Sequence, residues 1–122
     1  MSDPLRVLMV EDQAELREMI GTALRDFGID VHTANDGPDA LRVIDETGDF
    51  HVVFSDINMP NNMTGLELSE HVAELLPHAR MILSSGYARS QLPNLPDNVT
   101  FIPKPYRLRQ LVDLLRGTTT AS

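Results

Sequence analysis

Apolar residues are distributed along this chain in two alternating patterns. Five short apolar runs have the length and composition of β-strands, and longer segments beside them repeat apolar residues every three or four positions, as amphipathic helices do. Regular alternation of the two patterns predicts an α/β protein whose parallel sheet carries helices on both faces. The predicted strands are Leu5–Val10, Asp30–Ala34, His51–Ser55, Met81–Leu83 and Val99–Ile102.

The predicted helices have ends that residue type explains. Gly28 and Gly48 end the first two, and Pro77 ends the third, because glycine terminates and proline interrupts helical backbone. The apolar face of the first helix consists of Leu16, Met19, Ile20, Ala23, Leu24 and Phe27. The helices span about Gln13–Phe27, a segment from the turn Asn35-Asp36-Gly37 to Gly48, Leu66–Leu76, and a last segment containing Leu108, Leu111, Val112 and Leu115.

Three segments depart from this regular pattern. The strand Asp30–Ala34 is half polar, which is typical of the edge of a sheet. The segment Tyr87–Asn98 should hold a helix, but Pro93 and Pro96 cannot lie inside a regular one, so we predict a short or irregular fourth helix. Small polar residues at the end predict a flexible tail over 118–122, with one domain over 1–117.

Composition narrows the class of protein. The 122 residues suffice for a single domain, and the net charge of −8 argues against direct binding to nucleic acid, which depends on clustered Lys and Arg. The absence of cysteine excludes disulfides and thiolate metal sites. No apolar run approaches the roughly 20 residues of a membrane span, and no signal-peptide pattern opens the chain. We therefore expect a cytoplasmic protein without a membrane partner.

Charged side chains follow three of the predicted strands directly. Glu11 and Asp12 follow the first strand, Asp56 follows the third, and Lys104 follows the fifth and precedes Pro105. The carboxyl ends of parallel strands meet at one edge of an open sheet, where such folds place their chemistry. Taken alone, an acidic pair is most often a solvated turn or helix cap, and a lysine before proline means little. Their shared position at the strand ends predicts a site with three carboxylates and one ammonium.

These residues, in this order, resemble the receiver domain of two-component response regulators over essentially the whole chain. The resemblance rests on Glu11-Asp12, Asp56 with Met59-Pro60 and Gly65, a hydroxyl at Ser85, and Lys104-Pro105. It implies a flavodoxin-like, doubly wound sheet of five parallel strands in the order 2-1-3-4-5.

The resemblance also implies a role for each residue at the strand ends. Asp56 would accept a phosphoryl group, since aspartate can act as a covalent nucleophile. Asp12, Asp56 and the backbone carbonyl of Asn58 would ligate Mg²⁺ or Mn²⁺, with Glu11 acting through a water molecule. Lys104 would pair with Asp56 at rest and with a phosphoryl oxygen after transfer.

Further residues are implied to switch the domain. Ser85 would donate its hydroxyl to the phosphoryl group, although the neighbouring Ser84 competes for this role. Phe101 occupies the aromatic switch position of the family, while most aromatic residues at such a place are simply core. A cis Lys104-Pro105 bond is expected, because cis bonds are energetically accessible mainly before proline. We also hypothesise that the Asn58 and Tyr87 side chains flank the attacking water and set the lifetime of the phosphorylated form.

The loop after Asp56 indicates which receiver domains the chain resembles most. It is one residue longer than the commonest family form, with Asn61-Asn62, and together with Ser85-Gly86-Tyr87-Ala88 it is similar to receivers of hybrid histidine kinases and their stand-alone relatives. The partners implied are a histidine kinase or histidine phosphotransferase and an unknown downstream protein, with the domain a monomer or weak dimer.

The predicted function is a Mg²⁺-dependent phosphoacceptor of a two-component phosphorelay, which catalyses its own phosphorylation and dephosphorylation but serves mainly in signalling. One alternative is a receiver module of a hybrid histidine kinase, which Met1 weakly opposes. A second is a constitutive partner-binding pseudo-receiver. A third is a metal-dependent phosphohydrolase, because three carboxylates and a lysine also permit that chemistry.

Overall fold

A computed structural model describes residues 4–58, 63–86, 95–96 and 98–117 of the chain. Strands and helices alternate through the first four strands, as predicted. The strands are β1 (Arg6–Val10), β2 (Asp30–Ala34), β3 (Val52–Asp56), β4 (Arg80–Ser85) and β5 (Val99–Pro103). The helices are α1 (Ala14–Asp26), α2 (Gly37–Thr47), α3 (Gly65–Leu75) and α4 (Leu108–Arg116).

The five strands form one parallel sheet in the order β2-β1-β3-β4-β5. This order confirms the doubly wound fold, and it places β2 at an edge, where its half-polar composition had suggested it would lie. In such a sheet every strand ends at the same side. The residues that follow β1, β3 and β5 are therefore brought to one edge.

Alternate strand residues point to opposite sides of the sheet, and both sides are apolar. Helices therefore cover both faces. On one face α2 and α3 pack against a core that includes Leu8, Val53, Met81, Leu83, Ile44 and Leu68. On the other face α1 and α4 pack against Val7, Phe54, Ile82, Ile102, Leu24 and Leu111. Each face has its own apolar core, so the central strands β1, β3 and β4 are largely buried on both sides, whereas the edge strands β2 and β5 are only partly buried.

The ends of the helices follow local capping chemistry. Asp36 caps α2 by accepting a hydrogen bond from the backbone N–H of Asp39, at 2.8 Å. Thr64 and Glu67 form a reciprocal capping box at the start of α3. This box begins the helix at Gly65, one residue before the predicted start, and the other predicted helices agree to within a residue or two.

Two predictions concern residues that the structure leaves out of its description. Most of the proline-containing segment between β4 and β5, residues 87–94 and 97, lies there, and so does the tail over 118–122. The irregular fourth helix and the flexible tail therefore stay predictions. Among the described ranges, no helix is long and apolar enough to cross a membrane.

Candidate functional site

The side chains of Asp56 and Lys104 meet at the carboxyl edge of the sheet. Lys104 Nζ lies 2.6 Å from Asp56 Oδ2, and the backbone N–H of Asn58 donates to Asp56 Oδ1 at 3.2 Å. Asp56 ends β3, whereas Lys104 follows β5, so this ion pair spans β4. The side chains are 15% and 32% exposed, respectively. The Asp56 carboxylate is therefore held by two donors and remains reachable from solvent.

Backbone contacts hold the acceptor in place. Ile57 donates its N–H to the carbonyl of Ser84 at 2.9 Å, and Gly65 donates to the carbonyl of Ile57 at 2.8 Å. A Cβ atom on Gly65 would lie 2.4 Å from the carbonyl oxygen of Asp56, so only glycine allows α3 to start this close. The start of α3 and the end of β4 thus jointly position Asp56.

The Lys104–Pro105 peptide bond is cis, as the resemblance implied. The N–H of Lys104 donates to the carbonyl of Ser85 at 2.8 Å, which continues the β4–β5 pairing one residue past the end of β5. The lysine backbone is therefore tied to β4, while its side chain extends towards β3.

Glu11 and Asp12 follow β1, which pairs directly with β3. Glu11 is buried, its carboxylate accepts from the N–H of Gln13 at 3.1 Å, and its carbonyl accepts from Arg17 at 2.8 Å. Burial raises the pKa of the Glu11 carboxyl, and a hydrogen bond with the Asp12 side chain acts in the same direction. Asp12 itself is exposed.

The carboxylates of Glu11, Asp12 and Asp56 lie at the ends of neighbouring strands, but they do not form a tight cluster. Within the ranges that the structure describes, no group of three or more His, Asp or Glu side chains is close enough to hold a metal ion. The reason is visible: Asp56 is turned to Lys104, and Glu11 is turned to the amide of Gln13. Mg²⁺ normally needs only one or two carboxylates, with waters and phosphate completing its shell. The hard oxygen donors of Asp12, Asp56 and the Asn58 backbone still fit that ion.

Ser84 and Ser85 end β4 on opposite faces of the sheet, and both are buried, at 1% and 0% exposed. Ser85 and the half-buried Phe101 belong to the face covered by α2 and α3, where Phe101 packs against the core. A switching role for these two residues stays a prediction. The Ser84 hydroxyl, by contrast, has no hydrogen-bond partner among the described residues.

The remaining site predictions fall partly outside the described residues. Tyr87 and Met59-Pro60 lie there, so the hypothesis that Tyr87 tunes the phosphoryl lifetime stays untested. Asn58 is exposed and contacts the site through its backbone N–H. The role of its side chain also stays a prediction.

Tyr106 is a residue of this region that the sequence analysis missed. Its ring contacts Phe54 edge to face, with 5.9 Å between centroids. Burial, together with the negative charges of Glu11 and Asp56, raises the pKa of Tyr106 to about 12. Its place two residues after Lys104 was the one available sign that it would lie near the acceptor.

An apolar groove of about 730 Å³ opens beside the site, between α1 and the segment 104–108. Met19 is 63% exposed there and Leu108 is 36% exposed. Met19 lies on the apolar stripe of α1 but outside the core, at the open groove. The groove is lined by Leu16, Met19, Ile20, Ala23, Gly86, Lys104, Pro105, Tyr106 and Leu108.

Comparison with known sequences identifies relatives over most of the chain. The chain is 35% identical to the sensor kinase CckA of Brucella abortus over 120 residues, which cover 95% of this chain but 13% of CckA. It is 30% identical over 111 residues to the response regulator receiver protein CpdR of the same organism, covering 88% of this chain and 91% of CpdR. The chain thus spans a small part of one relative and nearly all of the other.

Similar solved structures belong to the same kinds of protein as the sequence relatives. The receiver domain of the hybrid histidine kinase CckA superposes with a TM-score of 0.79 at 31% identity, covering 93% of this chain and 97% of that one. The response regulator TrrA of Thermotoga maritima, solved in complex with Mg²⁺-BeF, gives 0.79 at 26% identity and covers 94% and 99%. A family model described as the response regulator receiver domain matches residues 7–116. On this evidence the chain belongs to the response regulator receiver domains of two-component signalling.

Proposed function

We propose that this receiver domain accepts a phosphoryl group from a phosphohistidine donor onto the carboxylate of Asp56. The observation that carries the proposal is the Asp56–Lys104 pair, 2.6 Å apart at the carboxyl edge of the sheet. A carboxylate there is a nucleophile with a cation already beside it, and positioning with charge stabilisation is most of what phosphoryl transfer requires.

Each neighbouring residue then has a defined task. Lys104 holds Asp56 at rest and moves to a phosphoryl oxygen after transfer, because its long side chain reaches across β4. The N–H of Asn58 fixes Oδ1, whereas Oδ2, which Lys104 holds at rest, becomes free for attack as Lys104 shifts towards the phosphoryl group. Ser85 and Phe101 would change conformation in response to the new charge and so alter the face covered by α2 and α3.

A divalent cation fits this donor set. Receiver domains bind Mg²⁺ at the phosphorylation site, and here Asp12, Asp56 and the backbone carbonyl of Asn58 would hold it, with Glu11 acting through water. When bound, the cation neutralises charge on the transferring phosphoryl group.

The groove between α1 and segment 104–108 is the proposed contact for the phosphohistidine protein. The phosphohistidine must approach Asp56 from solvent, and the groove shares Lys104 with the acceptor site. Exposed Met19 and Leu108 offer apolar surface for a histidine kinase or histidine phosphotransferase to cover. Receiver domains interact with such proteins, and we propose the cytoplasm as the place of contact.

Intact-mass analysis after incubation with phosphoramidate and Mg²⁺ tests the proposal. We expect one phosphoryl group to be gained by the wild type, and none by Asp56→Asn or in the presence of a chelator. No gain with phosphoramidate or with a phosphohistidine protein would instead support a constitutive partner-binding domain. Continuous consumption of donor without a retained adduct would point to fast autodephosphorylation or to a phosphohydrolase.

A further inference from the structure

Ser84 lies in the middle of the proposed acceptor site. It pairs with Asp56 of β3 on one side and with Ile102 of β5 on the other. The Lys104–Asp56 ion pair joins the ends of β3 and β5, so it must pass over the end of β4. One of the two serines at that end therefore lies directly beneath the ion pair.

The alternation of side chains identifies that serine. Phe54 and Ile82 both belong to the core covered by α1 and α4. Because strand residues two apart share a face, Asp56 and Ser84 lie on this same side of the sheet. Ser85 points to the opposite face. The hydroxyl beneath the ion pair is therefore that of Ser84.

This hydroxyl is buried without a partner. Ser84 is 1% exposed, and no hydrogen bond is made by its Oγ atom to any described residue. A buried polar group in that condition costs folding free energy. The other buried serine away from the site, Ser69, donates to the carbonyl of Leu66 at 2.6 Å. The cost of leaving the Ser84 hydroxyl unpaired beside Asp56 is explained if this hydroxyl forms a hydrogen bond in another state of the site.

We propose that Ser84 is a further catalytic residue, whose hydroxyl donates to the Asp56 carboxyl once Lys104 has moved to the phosphoryl group. This rests on the proposed function. Adjacent strands are roughly 4.8 Å apart, and rotation about χ1 between staggered positions carries Oγ towards the neighbouring strand. A carboxyl group has several acceptor positions, and its resting donors are Lys104 Nζ and the N–H of Asn58. Space on the carboxyl for this third donor is therefore available.

The proposed hydrogen bond from Ser84 to Asp56 acts in dephosphorylation. A water oxygen bonds to phosphorus, the bond from phosphorus to the Asp56 oxygen breaks, and its electron pair stays on the carboxylate. The water proton leaves with the inorganic phosphate or to solvent. Negative charge thus grows on the carboxyl group in the transition state, and a donor aimed at it lowers the barrier. Ser84 accordingly shortens the lifetime of the phosphorylated domain.

The test compares the decay of phosphorylated variants. Wild type, Ser84→Ala, Ser84→Thr, Ser84→Val and the control Ser69→Ala are phosphorylated with phosphoramidate and Mg²⁺, freed of donor, and followed by intact mass with and without chelator. Threonine and valine have nearly the same shape, but only threonine keeps the hydroxyl. We expect roughly tenfold slower decay for alanine and valine and nearly wild-type decay for threonine and for Ser69→Ala.

Other outcomes would overturn the proposed role of Ser84. If the threonine and valine variants decay at the same rate, the hydroxyl has no role and the inference is overturned, as it is if every variant matches wild type. Thermal unfolding is the second measurement: Ser84→Ala should melt no lower than wild type, because the hydroxyl it removes has no partner. If the wild type neither gains phosphate nor consumes the donor, the proposed function is refuted, a result distinct from normal phosphorylation with unchanged decay.

Discussion

Gly65 offers the sharpest test of how the acceptor is positioned. An alanine Cβ there would lie 2.4 Å from the carbonyl oxygen of Asp56 and 2.9 Å from Cα of Ile57. Both are backbone atoms, so no side-chain rotation can relieve the contact. The start of α3 or the end of β3 must shift instead.

The magnitude follows from two opposed terms. Replacing glycine by alanine inside a helix normally stabilises it by about 0.5–1 kcal/mol. Overpacking against fixed atoms costs about 1–3 kcal/mol. Gly65→Ala should therefore be destabilising by up to about 2.5 kcal/mol, which corresponds to a drop in Tm of up to roughly 10 °C for a domain of this size. The shift also displaces Asp56, so phosphorylation should slow by a factor of at least ~10.

Gly21 provides the matched control. It also lies in a helix, but a Cβ there would meet only side-chain atoms, at 3.5 Å or more. Urea unfolding followed by circular dichroism should place Gly21→Ala at or above the wild-type stability and Gly65→Ala below it. Equal stability of Gly65→Ala and wild type would show that the close approach of α3 to Asp56 is not a constraint.

Three other predictions concern the groove and two titrating groups. Met19→Glu should slow phosphorylation by a phosphohistidine protein and leave the rate with phosphoramidate unchanged; equal slowing with both donors would contradict the proposed contact. Desolvation raises the pKa of Asp39, but hydrogen bonds from Asn35 and Arg42 outweigh it and lower this pKa below 3.8. The ionised carboxylate therefore stabilises the fold above pH 3.8, and this effect is lost as the pH falls through the lower folded-state pKa. Asp39→Asn should therefore unfold more easily than wild type at neutral pH, and the difference should shrink as the pH is lowered below 3.8. The pKa of Tyr106 is about 12 in the fold against 10.0 ordinarily, so its neutral form stabilises the fold fully below pH 10 and loses this effect towards pH 12. Alkaline absorbance titration should show a transition near pH 12 that Tyr106→Phe removes.

Local pattern was sufficient for the secondary structure and for the candidate chemistry. Strand and helix periods depend on neighbours a few positions away, so the alternating elements and the α/β class could be predicted from the chain alone. The same holds for the charged residues after strands, such as Asp56 and Lys104, because a strand's end is visible where its apolar run stops. The order of the strands came from resemblance, since periodicity says nothing about which strands pair.

Tertiary structure decided which of those side chains meet. Asp56 and Lys104 are 48 positions apart, and they touch because β4 lies between β3 and β5 in a parallel register. The same register places Ser84 beneath them. Met19 shows the opposite case: it lies on the apolar stripe of its helix, yet it is 63% exposed, because no other described part of the chain covers it. Burial and contact are properties of the assembled faces, whereas the local pattern specifies only which side of an element each residue occupies.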